Sequence, residues 1–166
     1  MRRTKRLLDE VRSRTGHDIK RKVRIVICED EQRFLSIQSK MRGENYSFPR
    51  DTNDIDALYF SNDRYIVISP NVRPGTISFD RVFLHECGHD LISHEIPKDI
   101  VRRLRRTVSK RRNEIDEAYT SVGRNMPWGI EERLADMLSA ALIPHTQRGW
   151  SKMKKIAIEI MEPILK

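Results

Sequence analysis

The sequence has little of what marks secreted, repetitive or membrane-embedded chains. Its two cysteines, Cys28 and Cys87, are too few for the disulfide framework of a small secreted domain, and both are expected to be reduced. No run approaches the about 20 consecutive apolar residues that a bilayer span requires. The basic stretch over residues 1–10 is not followed by the roughly 7–15-residue apolar core of a signal peptide. These absences lead us to expect a cytoplasmic chain with no membrane contact. Internal repeats and low-complexity segments are also missing, which excludes solenoids and disordered tracts.

What is there is charge. Lys and Arg number 32 against 24 Asp and Glu, a net charge of +8. Such a surface attracts polyanions or acidic partners at low salt. No base-reading motif accompanies it. At 166 residues the chain suits one compact domain, read here as residues 1–166.

Hydrophobic spacing predicts an α+β domain. Residues 3–15 place Leu7, Leu8 and Val11 on one helical stripe, closed by Gly16. The β-branched run at 23–28 suits a first strand. Residues 30–48 fit a short helix or a strand and are left open. Residues 56–60 and 64–69, joined by Ser61-Asn62-Asp63, read as a hairpin. The strand at 64–69 is expected to lie at the sheet edge and to receive an extended peptide. Helices follow over 78–94, 98–117, 130–143 and 151–162, the last two stopped by Pro144 and Pro163.

The helix at 78–94 contains His85-Glu86-Cys87-Gly88-His89. Residues four apart share a helix face, so His85 and His89 can offer imidazole nitrogens to one ion. Glu86 is then placed to act as general base on a water at the open coordination position. Gly88 is expected to keep the helix surface low beside the metal.

A catalytic zinc site of this type needs a third protein ligand. On the helix at 130–143, Glu132 and Asp136 share a face, so one carboxylate can bind the ion while the other orients a histidine from the second shell. Glu131 points about 100° away from Glu132, and helix orientation decides between them. Glu95 stands where a metzincin places its third ligand. That pattern needs a turning Gly where this chain has Ile92, so Glu95 ranks below Glu132. His94 reads as a surface or helix-end residue.

These features resemble the gluzincin-type peptidases, and within them the ImmA/IrrE-like family. The resemblance spans about residues 56–145. It rests on Tyr65-Ile66-Val67-Ile68, the His85–His89 helix motif, Glu132-x-x-Ala135-Asp136 and Leu142-Ile143-Pro144. It implies a small zincin-like domain: an N-terminal helix, a short twisted sheet with a hairpin, an active-site helix, a glutamate helix and C-terminal helices. It further implies Zn2+ held by His85, His89 and Glu132, with Glu86 as catalytic base acting on a protein or peptide substrate. Family members are coupled to gene regulators, but no helix-turn-helix is recognisable here.

An oxyanion formed at such a site needs a donor beside the metal, and Tyr119, Arg124 and His145 are candidates by chain position. The run from Lys98 to Arg112 is rich in Lys and Arg and in the simplest reading is a solvated helix face. The alternative function is a zinc-containing regulatory or anti-repressor-like binding protein that uses this basic helix, 98–112, to dock nucleic acid or an acidic protein. The helix has no interleaved aromatics, which argues against single-strand recognition.

Overall fold

The computed structural model describes residues 2–42, 55–74, 76–123, 129–144 and 149–166. Among them are seven α-helices and one three-stranded mixed sheet, so the fold is α+β and mostly helical. None of these helices is long and apolar enough to cross a membrane.

Helix α1, Arg2–Thr15, buries Leu7, Leu8 and Val11 and ends at Gly16, whose φ of 77° permits the left-handed closing turn. Strand β1, Arg24–Ile27, follows. The stretch left open by the sequence is helical over Glu31–Arg42 (α2), and the Asp30 carboxylate caps it by accepting from the Arg33 N–H at 2.8 Å. Strands β2, Ala57–Phe60, and β3, Tyr65–Ile68, form the expected hairpin, though its turn runs through Arg64, a non-glycine residue at φ 49°.

The sheet order overturns one expectation. β3 is the middle strand, parallel to β1 and antiparallel to β2, so it offers no edge for a peptide. The reason lies in its side chains. Ile66, Val67 and Ile68 are all fully buried, and a strand covered on both faces belongs inside a sheet. Val67 packs with Cys28, Phe34 and Phe60 in a small cluster that α2 helps to form, whereas Ile66 and Ile68 face the main core.

Helix α3, Ile77–Asp90, begins at Thr76, whose hydroxyl accepts from the Phe79 N–H, and continues into a π-helical turn, Leu91–Glu95. The helix expected over 98–117 is two: α4, Lys98–Lys110, and α5, Arg112–Ser121. They part at Arg111, whose guanidinium is held by Glu114 and Glu159. Helix α6, Ile130–Leu142, ends just before Ile143-Pro144. Helix α7, Ser151–Met161, passes into a 3-10 turn at Glu162–Ile164. α6 is the central element: residues 133–135 and 137–142 are all buried, between α3 on one side and α4 and α7 on others.

Candidate metal centre

α3 and α6 run antiparallel. Ser139 donates to the Arg81 carbonyl at 2.9 Å near one end of the contact, while Glu132 reaches His89 at the other. Between these points the two backbones nearly touch. A Cβ added at Gly88 would lie 3.1 Å from the Ala135 Cα and 3.2 Å from its carbonyl oxygen. Gly88 therefore serves the crossing of α6 over α3, a role more specific than a low surface beside a metal.

This crossing brings His85, His89 and Glu132 into one cluster. The Nε2 atoms of His85 and His89 are 3.1 Å apart. Glu132 places Oε2 3.1 Å from His85 Nε2 and Oε1 3.3 Å from His89 Nε2. Donors on a tetrahedron with bonds of about 2.0–2.1 Å stand about 3.3 Å apart, so the spacing suits a small divalent cation. Glu131 turns away to pair with Arg105 at 2.8 Å, so of the two neighbouring glutamates it is Glu132 that lies against the histidines.

Behind the cluster, two further side chains fix the His85 ring. His85 Nδ1 donates to Asp136 Oδ1 at 2.7 Å, which leaves Nε2 directed at the cluster. Tyr119, buried on α5, donates its hydroxyl to Asp136 Oδ2 at 2.8 Å. Tyr119 thus props the carboxylate that props His85, a different position from the free oxyanion donor expected of it. Arg124 and His145 lie outside the described residues.

The same contacts shift the ionisable groups of the cluster. Burial works against a charged His85, but Asp136 and Glu132 outweigh it through hydrogen bonds, and the imidazole is pushed up to about 10. Hydrogen bonds from His85 and His89 hold the Glu132 carboxyl well below the ordinary range. The Glu86 carboxyl is buried and shifts upward, burial outweighing the opposing pull of His85 and His89. Cys87 is buried in the core, and burial pushes its thiol well above the usual range, which disfavours the thiolate.

A further set of residues near the cluster escaped the sequence reading. The Tyr59 ring on β2 stacks parallel to the His89 imidazole, at 4° with centroids 6.2 Å apart, and its hydroxyl donates to Asp90 at 2.7 Å. Asp90, fully buried, also receives Arg64 Nε at 2.9 Å and Nη2 at 2.6 Å. Arg64 reaches on to Glu95 at 2.8 Å, and Lys22 meets the other Glu95 oxygen at 2.7 Å. The only sequence signal was Asp90 itself, a charge inside the apolar stretch after His89. Glu95 is held here, away from the cluster, and His94 donates to the Ser61 carbonyl.

Comparison of the chain with known protein families, with curated proteins and with solved structures gives no match.

Proposed function

We propose that the chain is a zinc-dependent metallopeptidase of ImmA/IrrE-like type. The observation that carries this reading is the convergence of His85 Nε2, His89 Nε2 and the Glu132 carboxylate, with Glu86 buried on the same turn of α3. His85, His89 and Glu132 would hold the ion. When bound, zinc supplies Lewis acidity, polarising the scissile carbonyl and acidifying water.

The remaining work falls to the chain's own side chains. Glu86 takes a proton from the attacking water and returns it to the leaving amine. Asp136, braced by Tyr119, holds His85 in the tautomer whose Nε2 is free to bind. Tyr59, anchored through Asp90, backs the His89 ring.

The test is a profile of new protein N-termini after a protein extract is treated with the zinc-loaded chain, compared with chain stripped by a chelator. Cleavage that needs zinc and returns when zinc is restored is the expected result. A fully zinc-loaded chain that generates no new N-termini overturns the peptidase reading, and a chain that takes up no zinc overturns the metal site.

A further inference from the structure

Helix α4 has two faces of opposite chemistry. Val101, Leu104 and Val108 are buried and seat it in the core. The exposed positions carry Lys98, Arg102, Arg103, Arg105, Arg106 and Lys110 against a single carboxylate, Asp99 in the first turn. Lys98, Arg102, Arg106 and Lys110 follow at four-residue steps, which sets four cations on one stripe at about 6 Å intervals along the axis.

Four arginines elsewhere are neutralised internally: Arg3 on Asp80, Arg64 on Asp90, Arg111 on Glu114, Arg133 on Asp116. On the outward face of α4, Arg105 alone is, through Glu131. Among the described residues, Lys98, Arg102, Arg103, Arg106 and Lys110 have no carboxylate at ion-pair distance. Like charges at i,i+4 destabilise a helix. The stripe therefore costs the fold stability that an external anion would restore.

We propose that this face docks the phosphate backbone of double-stranded nucleic acid without reading its bases. A regular line of cations matches a regular line of phosphates, and a net charge of +8 steers the encounter. α4 carries no aromatic side chain for base stacking and no Asn or Gln for adenine edges; its regularly spaced Arg and Lys suit phosphates along the backbone, and a preference for one duplex would show that they read guanine edges instead. An acidic protein partner is the weaker fit. Protein interfaces draw their affinity from apolar and aromatic anchors, and the exposed positions of α4 hold none.

The Arg105–Glu131 pair joins this face to the first turn of α6, where the next residue is Glu132 of the metal cluster. A duplex on α4 thus lies beside the rim of that centre. The docking stands whether or not the centre hydrolyses anything, and its test reads no activity.

Fluorescence anisotropy of the full chain with a labelled DNA duplex of about 20 base pairs, titrated between about 50 and 200 mM salt, measures it. Five phosphate contacts predict a log–log salt slope of about −4.5, and two duplexes of unrelated sequence should bind alike. The triple variant R102Q/R103Q/R106Q should flatten the slope by about 3 and weaken binding at least about tenfold. R2Q/K5Q/R6Q on α1 removes the same charge and should leave both nearly intact. The single variants R102Q and R106Q, expected to flatten the slope by about 0.9 each, give a second reading on minimally altered protein. Equal losses in both triples, no change in the α4 variants, strong preference for one duplex, or displacement of duplex by polyglutamate at equal charge would each overturn the proposal.

Discussion

Gly88 of α3 and Ala135 of α6 lie so close that a methyl group on Gly88 would stand 3.1 Å from the Ala135 Cα. The His85–His89–Glu132 cluster depends on this approach, because His85 and His89 come from one helix and Glu132 from the other. The nearest atoms are backbone and cannot swing aside.

Gly88→Ala should therefore push the helices apart, costing about 1–3 kcal/mol of stability as overpacking does. Metal affinity should fall with it although no ligand is altered. Chemical denaturation together with a metal titration checks both effects. Unchanged affinity at reduced stability would mean that the cluster tolerates a wider crossing.

Glu131 and Glu132 are neighbours with separate roles. Glu132→Gln should lower metal affinity steeply, because it removes the carboxylate that faces both histidines. Glu131→Gln loses only an exposed ion pair with Arg105, worth about 0.2–1 kcal/mol, and should keep the metal. Metal content of the two purified variants distinguishes them.

Behind the ligands, Asp136→Asn should reduce metal affinity about 10–100-fold, the usual cost of losing a second-shell carboxylate. Tyr119→Phe should produce a smaller change in the same direction, since Asp136 keeps its bond to His85 but loses its brace. Competition with a chelator of known affinity measures the order. Tyr119→Phe exceeding Asp136→Asn would contradict the chain of support.

Glu95 makes the fold sensitive to acid. Burial pushes its carboxyl up, but Lys22 and Arg64 outweigh burial and hold it below its ordinary value of 4.5. A depressed carboxyl stabilises the fold above the unfolded value and loses that contribution as pH falls through the lower, folded one. Wild type should thus exceed Glu95→Gln by up to about 1 kcal/mol at neutral pH, allowing for solvent screening. The gap should close below pH 4.5. Thermal unfolding of both proteins across that range gives the comparison.

What could be read in advance was what helical and strand periods control. His85 and His89 share a face because they are four apart, as do Glu132 and Asp136, and the cluster contains three of these residues. The hairpin of β2 and β3 was legible because its pairing is local. The pairing of β1 with β3 was not, since it joins segments about forty residues apart and no local rule selects a parallel partner. The break between α4 and α5 lacks the Gly or Pro that would announce it; Arg111 is fixed there by side-chain pairs with Glu114 and with Glu159 on α7. The choice of Glu132 over Glu131 turns on a rotation of about 100°, which only the seating of α6 on α3 decides. Tyr59 and Asp90 meet across thirty-one positions, a contact invisible to spacing rules.

The most direct test of the account is Glu86→Gln, assayed for zinc content and for peptide-bond cleavage in the same preparation. Variant and wild type should both bind one zinc per chain, because Glu86 is outside the His85–His89–Glu132 cluster. Its cleavage should fall by about 10²–10⁴-fold, the usual contribution of a general base. Full zinc with undiminished cleavage would contradict the central claim.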